Sequence, residues 1–256
     1  MRQLRGQAKG QKGKVGVAIV LGILVVVLAI AICMALPHNS EEPQGEAKEE
    51  YDFGKAVPES EPVGEEYFDD AIFIGNSRTE GFFLYTGLKG AKMYACQGLM
   101  VDTFFTDNDY LLEGERVSML RAIKANPDFR KVYIMLGMNE LGWVYSDNFI
   151  EKYGDIIDEM REISPDATVY VQSILPVSRE KSENSDIYNL KKIRRYNRKL
   201  KKMCEEKEVY YVNVFGAVAN KEGYLPEGAA YDGVHLKADY CRKWIEYLEC
   251  HTIKED

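Results

Sequence analysis

The sequence predicts an α/β domain with a five-stranded parallel sheet and helices on both of its faces. Two observations predict it. Five short runs rich in β-branched and aromatic residues recur between residues 71 and 214, apolar almost throughout, as strands buried on both faces are. Between them lie longer segments with apolar residues at helical spacing. Strand alternating with helix implies parallel strands joined by crossover helices.

The first strand, residues 71–74 (A-I-F-I), ends at Gly75, and a helix is expected over 79–85. The second strand covers 91–95. A helix is expected over 111–125, stopping before Pro127 because proline disfavours helical backbone in the residue ahead of it. The third strand is 131–136 (K-V-Y-I-M-L). The helix over 147–163 carries a stripe of Phe149, Ile150, Tyr153, Ile156, Ile157, Met160 and Ile163. The fourth strand is 168–175, and the helix over 187–207 buries Ile187, Leu190, Ile193, Leu200 and Met203. The fifth strand is 209–214 (V-Y-Y-V-N-V). In the last helix, 236–250, Tyr240, Trp244 and Leu248 stand four apart. Such stripes are core faces, and no internal repeat is visible. Ligands of such sheets bind beyond the C-terminal strand ends, where Gly75–Ser77, Gly98 and Gly137–Asn139 all fall.

The segment before this domain reads differently. Residues 15–36 form an uncharged apolar run; as a helix its 22 residues span about 33 Å, enough for a hydrocarbon core of roughly 30 Å. Arg2, Arg5, Lys9, Lys12 and Lys14 precede it with no acid, so the positive-inside rule places residues 1–14 in the cytoplasm and the rest outside. A cleaved signal peptide is the competing reading, but the run is long for one and no small-x-small cleavage site follows. Ile32 is too large to precede a lipoprotein cysteine at Cys33. Residues 37–66 hold Pro37, Pro43, Pro58, Pro62 and many glutamates, the composition of a flexible acidic tether with a reach on the order of 30 Å. Residues 67–256 suffice for one domain with a sizeable core.

The formal net charge is −8. Setting aside the five basic residues of the tail leaves 28 basic against 41 acidic residues, a net −13, which argues against nucleic acid as a partner. Five cysteines in a chain of this size are not a disulfide scaffold. A metal site is not expected, with one usable histidine and no paired Cys or His spacing. Nor is a dinucleotide cofactor, because no G-x-G-x-x-G follows the first strand; no cofactor is expected.

Four fragments carry chemistry. Ser77 follows the first strand and opens a helix, whose free N–H groups suit a developing oxyanion, though a capping serine would look the same. Gly98 follows the second strand and is by itself an ordinary turn glycine. Asn139, in Gly137-Met138-Asn139, follows the third; its side chain can donate to an oxyanion or simply make a turn. Asp232 stands three before His235, a spacing that lets the carboxylate reach the ring on a tight turn. The chain has three histidines; His38 lies in the tether and His251 near the end, so any catalytic imidazole is His235. Serine, histidine and aspartate are the inventory of a serine hydrolase, since serine is a poor nucleophile until a base takes its proton.

Taken together and in order, these fragments resemble the four blocks of the SGNH/GDSL hydrolase family, over roughly residues 71–248. The resemblance implies a flavodoxin-like three-layer α/β/α sandwich. It implies Ser77 as nucleophile, His235 as base and Asp232 as its orienting acid. The oxyanion hole would be the Ser77 and Gly98 N–H groups with the Asn139 side chain. Two positions depart from the family pattern: Asn76 stands where the first block usually has Asp, and Glu140 where the third has Asp. Neither carries a proton transfer, so the departures bear on subfamily and substrate. Arg78, Glu80, Glu140, Trp143 and Arg179 lie beside the blocks or in the loop after the fourth strand and are candidates to line a substrate cleft. Eight basic residues between Lys191 and Lys202 could grip an anionic polymer or lipid head groups, but the solvated face of an amphipathic helix explains them more simply.

The expectation is a membrane-anchored extracellular serine esterase. Its substrate would be a short-chain, acetyl-like ester, on cell-surface or environmental carbohydrate. The alternatives are an O-acyltransferase using the same residues, and a non-catalytic binding domain, against which the intact Ser77, Asn139, Asp232 and His235 argue.

Overall fold

The computed structural model describes residues 51–106 and 110–253. The expected cytoplasmic tail, the membrane anchor and the first part of the tether lie outside the described residues. Among the described residues no helix is long and apolar enough to cross a membrane.

The main sheet consists of β1 (Ala71–Gly75), β2 (Lys92–Ala95), β5 (Lys131–Met135), β6 (Thr168–Gln172) and β7 (Tyr210–Val212), with β3 (Tyr110–Leu112) and β4 (Glu115–Val117) forming a separate antiparallel hairpin. Every pairing in the main sheet is parallel and the order is β2-β1-β5-β6-β7. The first crossover steps to one side of β1 and the later ones to the other. The direction in which strands are added therefore reverses between β1 and β5, the crevice where such sheets bind ligands.

Alternation along the strands sorts the core into two halves. Ile72, Ile74, Val132, Ile134, Val169 and Val171 give the sheet an aliphatic face toward α2 (Met119–Lys124), α3 (Ser146–Ile163) and α4 (Leu190–Lys207). Phe73, Tyr133 and Tyr170 face the other way, toward α1 (Ser77–Thr86) and α5 (Ala238–Glu249). The result is a three-layer α/β/α sandwich, as expected. On the aromatic face three register partners stack: Phe73 on Tyr133 at 4.7 Å between centroids, and Tyr133 on Tyr170 at 4.6 Å. Each such pair adds about 0.5–1.5 kcal/mol beyond area burial. The buried Trp244 of α5 donates its indole N–H to Gln172 Oε1 at 2.7 Å, which satisfies two polar groups that would otherwise be orphaned in the core.

Two expectations are corrected. The helix expected over 111–125 is a hairpin followed by the short α2. Glu113 (φ 50°) and Gly114 (φ 90°) form the two-residue turn, a left-handed pair that suits a tight hairpin, and Ser118 then caps α2 by accepting from the Arg121 N–H at 3.2 Å. The tether expected over 37–66 does not extend through 51–66. Ala56 makes a parallel bridge to Tyr211, the Val57 N–H donates to the Tyr211 carbonyl at 2.9 Å, and Val63 N–H bonds to the carbonyl of Glu249. Tyr51 and Phe53 pack on the Tyr210 ring. This segment covers the outer edge of β7, which would otherwise present unpaired backbone groups.

Candidate active site

The candidate nucleophile, Ser77, is positioned from the end of β1 outward. A Cβ on Gly75 would stand 1.9 Å from Thr79 Oγ1, so only glycine lets the strand turn this closely under its helix. Asn76 is the N-cap of α1: its backbone is extended and its side-chain oxygen accepts from the Arg78 N–H at 3.1 Å. The capping role that sequence alone also allowed for Ser77 therefore belongs to Asn76. Ser77 is the first residue of the helix, with its hydroxyl released toward His235. Ser77 Oγ lies 3.0 Å from His235 Nε2.

The candidate base, His235, is held by its own turn. Asp232 Oδ1 accepts from the backbone N–H groups of Val234 (2.9 Å) and His235 (2.8 Å), and Oδ2 lies 2.8 Å from His235 Nδ1. Gly233 takes a left-handed φ of 80°, and its carbonyl accepts from the Ser178 N–H at 2.8 Å. Partial burial pushes the Asp232 carboxyl up. The bonds from the His235 N–H, the His235 ring and the Val234 N–H outweigh it and hold the group well below the usual carboxylate range. An ionised Asp232 keeps the proton on Nδ1, which leaves the Nε2 lone pair facing Ser77.

Arg78 ties the two halves together. It is buried, and it donates from Nη1 to the Leu175 carbonyl (2.8 Å) and from Nη2 to the Pro176 carbonyl (2.9 Å). Burial lowers its pKa to about 9, with Asp232 pulling the other way. It anchors the serine helix to the loop after β6, which in turn holds the turn of the base through Ser178. Arg78 forms inner wall of the hollow near Ser77 and is also a strut, its terminal nitrogens committed to carbonyls.

The second and third blocks are joined by side chains of the third. Asn139 donates from Nδ2 to the Leu99 carbonyl at 3.0 Å, which occupies one of its two N–H groups. Glu140 Oε1 accepts from the Val101 N–H at 2.8 Å. Gly98 sits exposed on the turn so fixed, with φ 82°.

Glu140 does not line a cleft. It is fully buried, its carbonyl accepts from Tyr196 Oη at 2.8 Å, and its Oε2 has no hydrogen-bond partner among the described residues. Burial pushes its carboxyl up to about 7, against the pull of backbone N–H groups. The folded state therefore holds a proton that the unfolded chain releases. Its contribution to stability is full below about 4.5 and is lost as pH rises toward 7. The difference corresponds to about 3 kcal/mol. Glu140→Gln is expected to flatten this fall, read as unfolding free energies in urea between pH 5 and 8. An unchanged slope in the variant would contradict the assignment.

Neither Trp143 nor Arg179 lines the hollow that adjoins Ser77. Trp143 is half-buried and packs against the aliphatic core. Arg179 pairs with Glu222 and Glu183 and lies over the Tyr224 ring, on the surface. Of the five, Arg78 and Glu80 line a hollow beside Ser77, Glu80 half-buried in it. The rest of that hollow, with Gly81, Leu84, Tyr85, Tyr231 and Leu236, was not foreseen. Tyr231 adjoins Asp232 in sequence, but nothing in the sequence places Tyr85 opposite it.

Residues 73–240 match the model of the GDSL-like lipase/acylhydrolase family. The structure resembles that of a candidate platelet activating factor from Streptococcus pneumonia, at 18% identity and TM-score 0.55, covering 72% of this chain and 87% of that one. It also resembles a candidate acylhydrolase from Bacteroides fragilis, at 18% identity and TM-score 0.52, covering 76% and 88%. At such identity these likenesses speak for the fold alone. No curated protein matches the sequence.

Proposed function

The chain belongs to the GDSL-like lipase/acylhydrolase family, and from that premise we propose that Ser77, His235 and Asp232 are the triad with which it cleaves its ester. It is a carboxylic ester hydrolase. The observation that carries the triad assignment is the unbroken relay from Ser77 Oγ to His235 Nε2 (3.0 Å) and from His235 Nδ1 to Asp232 (2.8 Å).

His235 takes the proton of Ser77 as Oγ attacks the ester carbonyl. The oxyanion is received by the Ser77 and Gly98 N–H groups and the second N–H of Asn139, each donor lowering the barrier by about 3 kcal/mol. His235 then returns the proton to the departing alcohol, and water releases the acyl group by the same steps. His235 and Asp232 are 46% and 52% exposed, so bulk water reaches the acyl-enzyme. That openness favours hydrolysis over transfer to a sugar acceptor.

The domain stands outside the cell on a single N-terminal span of residues 15–36, with residues 1–14 in the cytoplasm; the apolar run and the basic residues before it support this. Short acyl esters of surface or environmental carbohydrate are its substrates. The purified full-length chain is expected to release p-nitrophenol from the acetate faster than from the butyrate or laurate. Intact cells carrying it are expected to deacetylate a polysaccharide too large to enter as fast as lysed cells do. No release from any ester would remove the assignment, and activity confined to lysates would remove the location.

A further inference from the structure

The hollow beside Ser77 has a volume of about 260 Å³ and is walled by His235 and Leu236 and by Tyr85 and Tyr231, with Glu80 at its side. Its position relative to the sheet assigns it to one part of the ester. Leu99, Val101 and Leu141, which carry the oxyanion loops, belong to the aliphatic face of the core. Leu236 and Cys241, which line the hollow, belong to the aromatic face, with Tyr85 and Ala230 packed against it. A tetrahedral adduct on Ser77 therefore points its oxyanion toward one face and has the hollow on the other. The departing oxygen must reach His235 Nε2 to be protonated, and His235 is a wall of the hollow. The alcohol, not the acyl chain, is then the group that enters it.

The lining says which alcohol. The Tyr85 and Tyr231 rings lie 6.2 Å apart between centroids and 32° from parallel. Tyr231 is 63% exposed and Leu84 74%, so apolar faces stand open to water at the lip. Aromatic faces suit the C–H face of a sugar ring, and one carboxylate and two phenols suit its hydroxyls. The volume falls below the roughly 300–1,000 Å³ typical of pockets for drug-sized ligands, so a single ring fits.

We propose that this hollow is the leaving-group subsite and that it takes one neutral sugar ring, held by Tyr85, Tyr231 and Glu80. The proposal rests on the triad assignment above and adds the alcohol to it.

The test compares two alcohols at constant acyl group, using acetyl, butyryl and octanoyl esters of methyl glucoside and of ethanol, with the full-length chain. The wild type is expected to prefer the sugar ester in kcat/KM at each acyl length. Tyr231→Ala is expected to reduce that preference about tenfold, mainly through KM, and to keep the order of acyl lengths. Glu80→Gln, nearly isosteric, is expected to reduce it in the same direction. Variants that reorder the acyl lengths and leave the alcohol preference intact would overturn the proposal and make the hollow an acyl pocket. Turnover of both esters by the wild type with no sugar preference would overturn it alone. No turnover of either would overturn the triad assignment and this proposal with it.

Discussion

Ser77→Ala is expected to lower kcat by roughly a million-fold, the scale lost when a triad nucleophile is removed. The structure makes this variant informative because Ser77 has little to do with the fold. The cap of α1 is Asn76, whose side chain bonds the Arg78 N–H, and the Asn76 carbonyl accepts from the Thr79 N–H at 2.8 Å. Alanine is also the best helix former at an interior position. Thermal unfolding should shift little while turnover is lost. A melt lowered in proportion to activity would mean that the serine serves the fold and not the chemistry.

Asp232→Asn is expected to cost about 10⁴-fold in kcat, with a much smaller change in KM. Asparagine keeps one oxygen, which can go on accepting from the Val234 and His235 N–H groups, so the turn that presents the histidine survives. The second atom becomes an NH₂ facing His235 Nδ1, which favours the tautomer with its proton on Nε2, facing Ser77. The negative charge that steadies the imidazolium is lost as well. Because the wild-type carboxyl lies well below the usual carboxylate range, it stays ionised through mildly acidic conditions. Loss of activity on moderate acidification should then not report Asp232. Kinetics of both proteins across pH check this; a variant within tenfold of wild type at every pH would contradict an orienting role.

The cluster of Ser77, His235 and Asp232 was legible in the sequence because few alternatives existed. With three histidines, two of them near the ends of the domain or before it, His235 was marked by elimination and Asp232 by its spacing. The strands were legible because both of their faces are buried and so they read as continuous apolar runs. The hairpin was hidden because Leu112, Met119, Leu120 and Ile123 also satisfy a helical period across Glu113-Gly114; only the glycine marked the turn. The packing of 51–66 was hidden because Val57 and Val63 are isolated among prolines and glutamates, and pairing with an edge strand leaves no periodic signature. Glu140 and Arg78 were read as cleft residues because charge ordinarily means exposure. Their burial is decided by partners distant in sequence: Val101 for one, the carbonyls of Leu175 and Pro176 for the other. Tyr85 and Tyr231 meet only after α1 and the loop before α5 are assembled on one face of the sheet.

The most direct measurement is covalent trapping. The full-length chain, treated with a fluorophosphonate, should gain one adduct that maps to Ser77 and abolishes ester hydrolysis in proportion. The adduct should be absent in Ser77→Ala and form far more slowly in His235→Ala, where no base takes the serine proton. An adduct on another residue, or full hydrolysis by the completely labelled protein, would contradict the assignment of Ser77 as the nucleophile.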